Sequence, residues 1–208
     1  MSAPRLMPLR PEALDADQRA LYDAIVESPR GQRPLRPMMV RDDGSLCGPF
    51  DAFLRIPTPG FLLERLGMAM RQDVVISGAA REVTILVVGQ AWGAEFEWWA
   101  HTMLAKREGI SAAEIDAIGH GRRPEFDDPA VAAAHDVAVE LVHRRRVDDA
   151  TLERARDALG ERGLVEVVTL VGFYQMISGV LTAFEPPPPD GDLEVVGPPT
   201  SGARDGWT

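Results

Sequence analysis

Helix starts and stops are written into this chain at short intervals, and no stretch of useful length alternates apolar and polar residues with the period of a strand. Asp15 is placed to cap ADQRALYDAIVE, in which Leu21, Ala24 and Ile25 form one apolar stripe and Ser28-Pro29 marks the end. Residues 29–49 are rich in Pro, Gly and Arg and read as a loop. After the short piece FDAFLRI, Pro57 and Pro59 open a helix through GFLLERLGMAM. Ser77 caps a helix that runs to about Trp92 and breaks at Gly93, and a second runs from about Glu95 to Gly109. SAAE at 111–114 is a capping box for a short helix stopping before Gly119. Asp128 and Pro129 open the next, Asp148 or Asp149 another that Gly160 closes, and an apolar helix covers 163–184. The pattern predicts an all-α chain with one domain over 1–185, including an N-terminal extension, and an extended Pro/Gly-rich tail over 186–208.

Charge and cysteine usage narrow the function classes. A formal net charge of −10 repels phosphate backbones and anionic lipid, so neither nucleic acid nor a membrane surface is expected as partner. The basic run Arg144-Arg145-Arg146 follows His143 at a helix end, where cations complement the dipole. Cys47 is the single cysteine, which rules out an intrachain disulfide and a two-cysteine redox pair. The N-terminus lacks the apolar core of a signal peptide, giving the cytoplasm as the expected location. Residues 163–184 carry Glu166, Gln175 and internal glycines without basic flanks, so a buried helix is expected rather than a membrane span. A helix apolar on nearly all sides is hard to cover within one small domain, which points to a homo-oligomer.

Chemistry concentrates around GAEFEWWAH, residues 93–101. Glu97 and His101 are four apart and share a helix face, where a carboxylate orients an imidazole and raises its basicity. Glu95 and Glu82 supply two further carboxylates, and Glu82 is the one acidic residue in the otherwise apolar REVTILVVGQAWG. A carboxylate in such a run needs a partner. The plainer alternative is a surface pair at 97/101 with the tryptophans in the core; at about 100° per residue Trp98 and Trp99 point away from the 97/101 face, so at least one belongs to core or interface.

Other polar residues read as structural. His135 and His143 are eight apart, too far for paired metal ligands on one helix, and Glu140-Leu-Val-His143 has no second copy. His120 lies between glycines in a loop, and no Gly-x-Ser-x-Gly elbow, phosphate loop or dinucleotide fingerprint is present. Tyr174 and Gln175 interrupt the last apolar helix and are expected to be a buried pair with ordinary partners, the alternative being that one lines the pocket. No metal or cofactor is expected.

The stretch REVTILVVGQAWGAEFEWWAHTMLAKREGISAAEI closely resembles the carboxymuconolactone decarboxylase-like family, which also holds alkylhydroperoxidase D, and the resemblance runs over about residues 8–186. It implies the alkylhydroperoxidase D-like helical fold and a homo-oligomer. The peroxidase branch carries Glu, eleven residues, Cys-x-x-Cys, three residues, His; counted back from His101, its glutamate falls on Glu82 and its cysteines on Ala94 and Glu97. Disulfide-based peroxide reduction needs both thiols, so that activity is not expected. The resemblance is to the cysteine-free members. It implies a cofactor-independent lyase or isomerase acting on a small carboxylated or lactone-like metabolite. In that reading His101 moves a proton, Glu97 orients or shares it, Glu82 with Glu95 tunes the site, and Arg81 is the nearest candidate for an anionic substrate group. A redox protein using Cys47 or an external thiol is one alternative, although Asp42 and Asp43 would raise the Cys47 thiol pKa; a non-catalytic binding or assembly protein is another.

Overall fold

The computed structural model describes residues 5–29, 35–186 and 189, and among them it is helical with no strand. After a 3-10 turn at Pro11–Ala13 come α1 (Ala16–Glu27), α2 (Arg36–Met39), α3 (Pro49–Phe53), α4 (Pro57–Gln72), α5 (Gly78–Trp92), α6 (Glu95–Arg107), α7 (Ala112–Gly119), α8 (Pro129–Arg144) and α9 (Asp149–Phe184). The expected caps are in place. Asp15 with Gln18 and Ser111 with Glu114 form capping boxes, while Ser77 and Asp128 accept from the amides of Ala80 and Ala130. Each such cap contributes about 1 kcal/mol by satisfying amide donors that the first helical turn leaves over.

Two stretches differ from expectation. Residues 29–49 are not all loop: Arg36–Met39 forms a turn of helix, and an antiparallel bridge pairs Val40 with Leu46. The cause is apolar content, since Met39 and Leu46 are buried, with Gly44 at φ 81° closing the turn between them. Residues 30–34 of that stretch, and nearly all of the tail 186–208, lie outside the described residues. The second difference is continuity. Gly160 adopts φ 70° and ψ 169° inside α9, so the two expected helices follow each other directly and meet at this residue.

The chain divides into two compact units. One contains the described residues up to Ala69 and those from Val180 onward. There Gly60 is approached so closely that a Cβ would lie 2.5 Å from a Leu21 methyl and 2.8 Å from the Phe53 carbonyl oxygen, and Asp51 accepts from the Leu9 amide and from Arg55. Cys47 is buried in this unit.

The other unit, Met70–Gly179, is built on α5, which packs against α6, α7 and α8. Val83, Ile85, Leu86, Val87 and Val88 are fully buried, each stabilising the fold by roughly 1.5–3 kcal/mol through removal of apolar surface from water. A helix buried on all sides tolerates few polar groups, and the two it carries next to this run, Glu82 and Thr84, are fully buried and bonded. In α9, Leu164, Val167, Leu170, Val171, Tyr174 and Ile177 turn inward, while Val165 and Val168 remain exposed. α9 is long and apolar enough to cross a membrane, yet half of its most apolar window is buried inside the protein.

Candidate functional site

The Ser77 cap fixes the first turn of α5, which places Glu82 on its inward side. Gly93, left-handed at φ 62° and ψ 30°, then ends α5 and lets the chain reverse into α6, where a residue with a Cβ would be strained. The reversal brings the inner faces of the two helices together. Glu97 and His101, one turn apart on α6, are both buried there.

His101 lies between the two carboxylates. Its Nδ1 is 2.5 Å from Glu82 Oε2, and its Nε2 is 2.8 Å from Glu97 Oε1. A neutral imidazole carries one N–H, so it can donate to one carboxylate only and would turn a lone pair toward the other. This arrangement therefore needs an additional proton, held on the ring or shared between Nε2 and Glu97. Burial opposes a charged ring, but Tyr174, Glu82 and Glu97 together outweigh it and push the His101 pKa up to about 10. Glu82 shows the complementary shift: burial opposes its charge, yet His101, Arg71 and Arg81 hold its pKa at about 2.

Glu82 Oε1 accepts from Arg81 Nε at 3.0 Å and from an Arg71 terminal nitrogen at 3.3 Å. Arg81 also reaches Glu108 at 3.6 Å, and the other terminal nitrogen of Arg71 is 3.5 Å from the Tyr174 hydroxyl. The Tyr174 ring stands edge-on to the His101 ring, with centroids 5.2 Å apart.

Three outcomes differ from the sequence-based assignment. Glu95 is not in the cluster; two residues before Glu97 it sits about 200° around the helix and is exposed. Tyr174 is not an ordinary core residue, because it touches both His101 and Arg71, while Gln175 beside it is only half-buried. Arg71 is a third member that the sequence does not mark. Its place at the end of α4 has no periodic or motif signal, and it meets Tyr174 only through a separation of 103 residues. The available sign was Tyr174 itself, a hydroxyl in an apolar run. Trp98 and Trp99 are both buried.

His120 is an exposed C-cap bonded to the Asp116 carbonyl oxygen, and His135 is buried against Asp136. Among the described residues no group of His, Cys, Asp and Glu has the arrangement of a metal site.

Residues 62–140 match the sequence model of the carboxymuconolactone decarboxylase family. The matched stretch holds Arg71, Arg81, Glu82, Glu97 and His101, whereas Tyr174 lies beyond it. A search of curated proteins finds no match to the chain. Over residues 62–140 the chain is thus similar to the carboxymuconolactone decarboxylase family, and within that stretch Glu82 and His101 are brought together across α5 and α6.

Proposed function

We propose that this protein is a lyase or isomerase that needs no cofactor, acting on a small carboxylated or lactone-like metabolite by proton transfer at His101 and Glu97. The observation that carries the reading is the imidazole with a carboxylate at each nitrogen. Such a ring is held charged and oriented, and it can pass a proton to Glu97 or to a substrate carbon beside it. Glu82 is a positioning residue: it fixes the ring through Nδ1 and is in turn held by Arg71 and Arg81.

In a decarboxylation, the C–C bond to the leaving CO2 breaks and its electron pair moves into a carbonyl of the substrate, giving an enolate. The His101–Glu97 pair then supplies a proton to the enolate carbon, and solvent returns that proton to the pair. An isomerisation uses the same pair twice, first removing and then restoring a proton. The electron sink belongs to the substrate in both cases, and the site supplies the proton and a dry environment.

Peroxide reduction through an internal disulfide is not part of this reading, because Ala94 and Glu97 stand where the thiols would be and Cys47 is buried. We further infer a cytoplasmic homo-oligomer; the exposed Val165 and Val168 on α9 support association.

The test is a panel of β-keto acids and small lactones incubated with the protein in deuterated water and followed by NMR. Deuterium uptake or CO2 loss is expected for at least one class and should fall by about 100-fold or more in Glu97→Gln, with the fold retained. Turnover unaffected by Glu97→Gln and His101→Ala would remove the reading. So would dithiol-dependent peroxide reduction above background that survives Cys47→Ser.

A further inference from the structure

Arg71 is a half-buried side chain whose hydrogen-bonding needs are poorly met. Its two contacts, 3.3 Å to Glu82 and 3.5 Å to Tyr174, are longer than the roughly 2.7–2.9 Å of a charge-assisted bond. Its Nε is fully buried and has no hydrogen-bond partner. The Glu82 oxygen it approaches is already taken by Arg81 at 3.0 Å. A charged donor set left in this condition is costly, and the natural complement to its planar fork is a carboxylate.

The charges around it agree. Arg71, Arg81 and the His101 imidazolium face two inner carboxylates, Glu82 and Glu97, and the further carboxylate at Arg81, Glu108, is on the surface with its side chain 42% exposed. The inner group thus carries one positive charge more than its two carboxylates offset. Side-chain exposure rises from Glu82 at 0% through Glu97 at 5% and His101 at 7% to Arg71 at 18%. Arg71 is the most exposed of these side chains, and the Tyr174 hydroxyl beside it is a neutral donor for a ligand oxygen.

We propose that Arg71, with Tyr174, is the anion-binding element of this site, so that its ligand is a small carboxylate seated on the guanidinium with its neighbouring carbon toward His101 and Glu97. The placement of the carbon rests on the proton-transfer reading; the recognition of the carboxylate does not. Arg71 would then do what Arg81 was expected to do, because the Nε of Arg81 is committed to Glu82.

The full chain, labelled with 15N at arginine and histidine, is titrated with butyrate and, separately, with butyramide, which has nearly the same shape and no charge. Butyrate is expected to shift the Arg71 Nε–H and His101 ring signals saturably, and butyramide to leave them in place. Arg71→Gln should weaken butyrate binding, read at His101, by about tenfold or more, and Arg71→Lys, which keeps the charge but not the fork, by several-fold. Tyr174→Phe removes one neutral donor and should cost a factor of a few, so the assignment stays open to refutation if Arg71→Gln fails to fold. Equal shifts with the amide, no saturable shift with butyrate, or unchanged affinity in both Arg71→Lys and Tyr174→Phe would overturn it. Arg71-dependent butyrate binding supports the assignment even if the deuterium experiment shows no exchange, a result that would count against proton transfer alone.

Discussion

His101 and His135 are both buried within the unit Met70–Gly179, and each lies against a carboxylate that also holds an arginine. Their electrostatics are opposite. For His135, burial is the largest influence and lowers the pKa; Asp136, 3.0 Å from Nδ1, pulls the other way but is engaged in two bonds from Arg123 at 2.8 and 3.0 Å. For His101, burial is again the largest single influence, yet two carboxylates and Tyr174 surround the ring and the pKa goes up. Whether a buried histidine is charged is decided by how many carboxylates it has to itself. At His101 the influences of Tyr174, Glu82 and Glu97 act together against burial, whereas His135 has Asp136 alone.

The largest expected effect sharpens this contrast at the carboxylates. Glu82→Gln leaves Arg71, Arg81 and His101 sharing a neutral amide in a fully buried position, and should destabilise the protein by about 3–5 kcal/mol in denaturant unfolding. The matching change on the other side, Asp136→Asn, faces a half-exposed Arg123 and should cost no more than about 1 kcal/mol. Similar losses in the two variants would break the comparison.

The pH dependence separates the histidines by sign. A raised folded pKa means that the His101 contribution is fully present below about 6.5 and is lost as pH climbs toward about 10. A lowered folded pKa means that the His135 contribution is present above 6.5 and is lost as pH falls below it. Melting curves of His101→Gln should therefore lack the alkaline loss seen in the native protein, and those of His135→Gln should lack part of the acid loss. The same slope for both variants would show that the two rings are in equivalent states. Glu82, held at about 2 against an ordinary 4.5, adds its own loss on the acid side as pH falls from 4.5 toward 2.

The elements that could be read from the sequence were those governed by local chemistry. Asp15, Ser77, Ser111 and Asp128 cap as their side chains dictate, and Gly93, Gly109 and Gly160 take the positive φ that ends or breaks a helix. The Glu97–His101 pair follows from a spacing of one helical turn. The partnership of Glu82 with His101 rested on family resemblance, since nothing in periodicity states how α5 and α6 fold back on each other. Arg71 is illegible for the same reason in stronger form, because it meets Tyr174 across 103 residues and sits in an ordinary helix pattern; Tyr174 stands out as a hydroxyl in an apolar run, but its partners do not. Glu95 was included because it is near in sequence; rotation about the helix axis removes it. The turn of helix in 29–49 was hidden by prolines and glycine that outweighed two methionines.

The central claim is that the His101 ring is a charged acid held between two carboxylates. Histidine-specific 15N labelling with NMR detection reads it directly, with His135 as the internal contrast. At neutral pH both ring nitrogens of His101 should be protonated, with a titration midpoint near 10, while His135 shows a single N–H and a midpoint below 6.5. A neutral His101 tautomer at neutral pH, titrating near 6.5, would contradict the account.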